Sequence, residues 1–131
     1  THNFELHNII ANVYERGAIV ASVGHGYCGI LNVRLSDGSY LVNGKILTGP
    51  SWREEKLALV SQKVPYNAEE LAKERGADYI RWKRPYRSSA AATNGLVTGH
   101  NNSSSGDLVA FSVCDELARL DSLKAKGSEP L

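Results

Sequence analysis

The chain has no methionine, only two cysteines among 131 residues, four prolines and a net charge of +1. Cys28 and Cys114 stand far apart and outside metal-ligand spacing, which argues against both a disulfide framework and a zinc site. Fifteen basic side chains against fourteen acidic ones leave no long-range field to draw in nucleic acid or an anionic membrane, so neither is expected as a partner. The most apolar early stretch, Ala18 to Val23, is too short to cross a bilayer and follows no basic leader. A reducing, cytoplasmic setting fits the cysteine usage. With no methionine at its start, the chain opens on Thr1, an end that either removal of an initiator methionine or cutting of a longer precursor would leave.

What is present is ordinary globular composition, 42% hydrophobic and 22% charged, enough for one domain at most. Phe4, Leu6, Ile9, Ile10, Val13 and Tyr14 recur at helical spacing, with Asn3 as N-cap and Gly17 as stop. Ala18 to Val23 then predicts a parallel strand buried on both faces. Gly24-His25-Gly26 breaks it, and Tyr27 to Leu31 reads as the opening of a helix. Strand, glycine-flanked turn and helix are the layout of a nucleophile elbow. Lys45 to Gly49 predicts a further strand. Ser51 with Glu54 forms a capping box for a helix reaching about Val60, and Asn67 with Glu70 repeats the arrangement for Ala68 to Arg75. Asp78 to Trp82, Ala90 to Ala92 and Leu96 to Thr98 are short strand candidates. Ser103 or Ser104 opens a final amphipathic helix carrying Leu108, Val109, Phe111, Val113, Leu117 and Leu120, and Lys124 to Leu131 is expected to be a flexible tail. Alternating strands and helices argue for an α/β sandwich. Yet the first helix expects a preceding strand, and so few strands would leave a bare edge, so part of the domain is expected to lie before Thr1.

The segments Ile19 to Gly26, Leu31 to Gly38, Gly44 to Gly49, Val64-Pro65 with Glu69 to Ala77, and Leu96 to Gly99 with Asn101 to Ser104 resemble, in order and spacing, the C-terminal half of the ThiJ/PfpI superfamily. Its glyoxalase III-like and heat-shock-chaperone-like branch is the nearest in pattern. The resemblance implies a three-layer αβα sandwich, flavodoxin-like and of the class I glutamine amidotransferase-like type, with residues 1–123 forming an incomplete half. A partner chain would then supply the N-terminal half, and a higher oligomer is expected. In glyoxalase III-like enzymes a cysteine on the elbow attacks a carbonyl, the next histidine shuttles protons and an acid orients that histidine. The matching positions here are Gly24, His25 and Glu55, with Glu54 beside the acid. Glycine cannot replace the thiolate, although Gly24, Gly26 and Tyr27 would still offer backbone and pocket contacts to an oxyanion or substrate.

His25 with Glu55 would form a proton-transfer dyad; the plainer alternative is a turn histidine and a solvated glutamate. Cys28, one helical turn past Gly24, is the substitute nucleophile, but a small buried core cysteine is the expected role. Cys114 is expected in packing. Thr1 joins a hydroxyl to an amine, as in self-processing hydrolases, although chain ends are also where order is lowest. Arg81 to Arg87 is the basic, aromatic-interleaved cluster and is expected to be a solvated loop. Relatives often carry a histidine just before the following strand, where this chain has Ser88-Ser89-Ala90. The expected function is a cofactor-independent subunit, with no metal, acting on a carbonyl-containing small molecule by proton transfer, as a lyase, hydratase, isomerase or cyclase. The alternatives are a catalytically silent structural or binding subunit, and a glyoxalase III-like thiol enzyme with its cysteine substituted at Gly24.

Overall fold

A computed structural model describes residues 3–101 and 104–127. Its elements run α1 (Phe4–Glu15), β1 (Val20–Val23), a 3-10 helix (Gly24–Gly29), β2 (Ile46–Leu47), α2 (Trp52–Leu57), α3 (Ala68–Glu74), β3 (Asp78–Tyr79), β4 (Ala90–Thr93), β5 (Leu96–Gly99) and α4 (Gly106–Gly127). Three caps follow from local chemistry. Asn3 accepts from the Leu6 amide at 3.0 Å, Asn67 from the Glu70 amide at 3.2 Å, and Ser51 and Glu54 close a reciprocal capping box on α2, each satisfying amides that a helix start leaves without partners.

β1 runs parallel to β5, and β5 pairs antiparallel with β4, giving the order β1-β5-β4. A second parallel pair, β2 with β3, is lashed to this sheet by side chains. The Ile46 amide donates to the Thr93 hydroxyl and the Thr48 amide to that of Thr98. α4 packs on β1, β4 and β5, while Ile10, Ala11 and Tyr14 of α1 join the main core around Tyr27, Leu31, Val33, Leu41, Leu47 and Leu96. The α/β sandwich expected from the sequence is the observed fold class.

Several local expectations are corrected. The elbow enters a 3-10 helix at Gly24, not an α-helix at Tyr27; three glycines in its six residues disfavour regular α-helix and suit a short tight turn. α2 stops at Leu57, short of Val60, because Leu59 takes φ 58° and the Val60 and Ser61 amides fold back onto the Glu55 carbonyl. α4 starts at Gly106; Ser103 lies outside the described residues, and helix replaces the expected tail as far as Gly127. β1 is not buried on both faces. Ala21 is exposed, its neighbours are half-buried, and the far edge of β1 meets no strand among the described residues. Phe4, Ile9 and Phe111, apolar positions on α1 and α4, stand exposed as well.

Candidate functional site

β1 delivers the chain to the site and Gly24 turns it. Val23 is still extended at φ −126°, whereas Gly24 is buried at φ 56°, a left-handed conformation that strains any residue with a Cβ. Gly24→Ala is therefore expected to cost about 1–2 kcal/mol, read as a lower urea midpoint with an unchanged slope.

The turn places His25 on the surface side, with half of its side chain exposed, and its Nε2 lies 2.5 Å from Oε1 of Glu55, whose side chain is 9% exposed. Glu55 sits in the first turn of α2, so the capping box that fixes this helix also fixes the carboxylate. Its second oxygen, Oε2, is buried and without a hydrogen-bond partner among the described residues.

Glu54, one residue earlier, points into a different network. Its Oε2 accepts from the Ser51 amide and hydroxyl, and its Oε1 from the Tyr86 amide at 2.6 Å and His100 Nε2 at 2.8 Å. Burial pushes this carboxyl up, but the hydrogen bonds from Tyr86, Ser51 and His100 outweigh it and hold Glu54 below the ordinary carboxylate range. His100 is 1% exposed, and its Nδ1 lies 3.3 Å from the Thr48 hydroxyl. Two histidine–glutamate pairs built on adjacent glutamates thus flank the N-terminus of α2, one solvent-facing and one enclosed.

A cavity of about 600 Å³ opens on this site, lined by His25, Tyr27, Cys28 and Glu55 together with Pro50, Trp52, Val64, Pro65 and Tyr66. A smaller one of about 220 Å³ is lined by His25, Pro50, Glu54, Glu55, Tyr86 and Asn101. His25 and Glu55 therefore border both. Cys28, expected in the core, packs half-buried against it and also lines the larger cavity. Burial drives its thiol above the ordinary value, more than the hydrogen bond to Tyr66 lowers it, the reverse of what a thiolate nucleophile requires. Tyr27 is 1% exposed and its hydroxyl donates to the Pro50 carbonyl. Its ring presses so closely on Gly49 that a Cβ there would stand 2.5 Å from it. Cys114, expected in packing, is exposed on α4. Thr1 lies outside the described residues. Within the basic cluster, Arg81 is not simply solvated; it donates to the buried Glu69 carboxylate, which also accepts from Lys73 and the Trp52 amide.

Sequence reasoning missed His100, Trp52, Tyr66 and Glu69. The signal for His100 was available, since an imidazole just beyond the carboxyl end of a strand in an open α/β sheet stands where such folds bind ligands. Its amide donates to the Ser89 carbonyl at 2.9 Å, so it sits opposite Ser88-Ser89-Ala90, the segment where the resemblance implies a histidine.

A mixed α/β sheet with a left-handed glycine at its elbow and a histidine–carboxylate pair at the strand end defines the class of protein. The chain belongs to the ThiJ/PfpI superfamily. It is 32% identical over 106 residues to a probable glutathione-independent glyoxalase of Schizosaccharomyces pombe, a match that takes in 76% of this chain and 41% of that protein. A crystallographic structure 28% identical in sequence superposes with a TM-score of 0.82, over 90% of this chain and 53% of the other. Glyoxalase III from Candida albicans (24% identity, TM-score 0.75, 86% of this chain and 49% of that one) and the 24 kDa Rapid Encystment Protein of Francisella tularensis (23%, 0.80, 88% and 51%) share the fold. The chain spans about half the length of these structures and less of the glyoxalase. No family model matches it.

Proposed function

We propose that this chain is one subunit of a heteromeric ThiJ/PfpI-like enzyme that acts on a carbonyl-containing small molecule by proton transfer through His25 and Glu55, without a thiol intermediate. The observation that carries this reading is the 2.5 Å contact between His25 Nε2 and Glu55 Oε1 beside Gly24. A carboxylate at Nε2 orients the imidazole and stabilises the imidazolium formed when the ring takes a proton. The amides that open the 3-10 helix at Gly24 lack intrahelical acceptors and would receive charge developing on a carbonyl oxygen. A glyoxalase chemistry that begins with a thiolate has no nucleophile at Gly24, and Cys28 is a poor substitute. The unpaired far edge of β1 and the exposed Phe4, Ile9 and Phe111 are the surfaces on which a partner chain carrying the other half-domain would dock.

Turnover of a responsive carbonyl compound is expected to survive Cys28→Ser in the assembled protein within about twofold. Its loss, together with covalent labelling of Cys28 by substrate in an intact-mass measurement, would transfer the chemistry to the thiol.

A further inference from the structure

We infer that the partner chain docks an acidic segment on the basic loop between β3 and β4, with its carboxylates on Lys83, Arg84 and Arg87. The inference rests on the heteromeric reading and names the chemistry of the partner's face. Residues 79–106 hold four of the chain's fifteen lysines and arginines, Arg81, Lys83, Arg84 and Arg87, and none of its fourteen acidic residues. The near-zero net charge therefore conceals a segregated one. Arg81 is already neutralised, since the buried Glu69 carboxylate accepts from it. Lys83, Arg84 and Arg87 are exposed and form no ion pair among the described residues. Three such cations within five positions repel one another, and a complementary negative surface removes that repulsion.

The loop is also held in one shape. The Trp82 indole donates to the Thr48 hydroxyl at 3.2 Å, the Tyr86 amide to Glu54 at 2.6 Å, and the Asn101 amide group to the Tyr86 carbonyl at 2.7 Å. Tyr86 takes φ 59°, a conformation that is costly for a residue with a Cβ and persists where its surroundings enforce it. Fastened in this way, the three cations form a fixed surface, and less ordering remains to oppose binding. Their position favours a partner chain. Arg81, Trp82, Lys83, Arg84 and Arg87 line a hollow of about 540 Å³. Trp82 and Arg87 continue into a second, of about 350 Å³, which Leu108 and the 70% exposed Phe111 also line. A groove that is cationic in one part and aromatic in the next suits carboxylates followed by a large apolar side chain. The loop also reaches the catalytic pair, because Tyr86 lines the smaller cavity with His25, Glu54 and Glu55. A chain that completes that site meets this loop. A nucleic acid fits less well, since acids outnumber bases in the rest of the chain and would repel its phosphates.

The test is made on the assembled protein. A carbodiimide, which joins an amine to a carboxylate where the two are in contact, is expected to link Lys83 to an aspartate or glutamate of the partner chain, read by peptide mass spectrometry. Reversing the three charges together (Lys83→Glu, Arg84→Glu, Arg87→Glu) should raise the dissociation constant at least about tenfold, measured by sedimentation over a dilution series. The charge-keeping exchange Lys83→Arg, Arg84→Lys, Arg87→Lys should associate as the native protein does, which separates charge from folding. Salt at about 1 M, where the screening length falls to about 3 Å, should weaken the native assembly and leave the charge-reversed one no weaker. Lys83 recovered unlinked, or linked only to a second copy of this chain, would overturn the inference. An assembly equally tight in high salt and with all three charges reversed would overturn it too and leave the heteromeric reading standing, and if that reversal also abolished retention on an immobilised oligonucleotide the loop would belong to a nucleic acid. A chain isolated from its source without any partner would overturn the heteromeric reading itself.

Discussion

Replacing His25 with alanine is expected to lower kcat of the assembled enzyme by about 10²–10⁴-fold, the usual worth of a positioned general acid–base. KM should move far less, because the cavity walls that hold substrate are mostly elsewhere. The protein should still fold, but with a lower thermal midpoint, because the buried Glu55 carboxylate loses the donor at its Oε1 even though half of the His25 side chain is already in water. Glu55→Gln keeps the size of the side chain and removes the charge that stabilises a protonated imidazole, so its loss should fall short of that for His25→Ala. If the two groups act as one unit, the double variant His25→Ala, Glu55→Ala will be no slower than His25→Ala alone, because members of such a unit are not additive. Steady-state kinetics on the four proteins decide the matter. Equal activity in all of them would make the chain a silent binding or structural subunit, with Gly24 the mark of a lost nucleophile.

The parts of the molecule that could be read from the sequence are those governed by neighbours within a few residues. Asn3, Ser51 with Glu54, and Asn67 with Glu70 were recognisable as caps because each acts across three positions, and the structure forms all three. The glycine elbow was visible as a break between an apolar run and a turn. The pairing of His25 with Glu55 was not, because thirty positions separate them and spacing alone left a solvated glutamate as the plainer reading; matching the chain to the superfamily pattern supplied it. His100 had no such help. It reaches Glu54 across forty-six positions, a pairing that spacing cannot show, and only its place just beyond a strand end marks it out. The burial of β1 was misjudged for a related reason. An apolar run states that a strand is to be covered on both faces but not by which element, and here Ala21 remains exposed. The early end of α2 was hidden too, since Leu59 at φ 58° belongs to a residue type that rarely adopts that conformation.

Glu54→Ala is expected to cost about 3–5 kcal/mol of stability, the range for removing one partner of a buried, hydrogen-bonded charge network. One carboxylate accepts from two amides, a hydroxyl and an imidazole, and three consequences follow from its loss. The Ser51 amide at the start of α2 loses its cap, the Tyr86 amide loses the anchor of the loop between β3 and β4, and His100 keeps a buried ring nitrogen with no acceptor. Glu54→Gln retains an oxygen acceptor for some of these donors and should cost markedly less. The native contribution also depends on pH in a definite direction. Because Glu54 is held below its ordinary value of 4.5, its stabilisation is complete above that value and disappears as pH falls through the lower folded-state value. Glu69 and Glu116 are lowered as well, by Lys73 and by Arg119 among others, and they reinforce the same trend. Urea midpoints measured from pH 7 down to pH 3 should therefore fall below about pH 4.5 in the native protein, and the fall should be shallower in Glu54→Gln. A midpoint for Glu54→Ala within about 1 kcal/mol of native at pH 7 would remove Glu54 as the anchor of the site. The contrast with His25 is the diagnostic feature of two adjacent glutamates in different environments. Loss of the pair built on Glu55 should stop chemistry in a folded protein, whereas loss of the pair built on Glu54 should loosen the helix start that aims Glu55, so that activity and stability fall together.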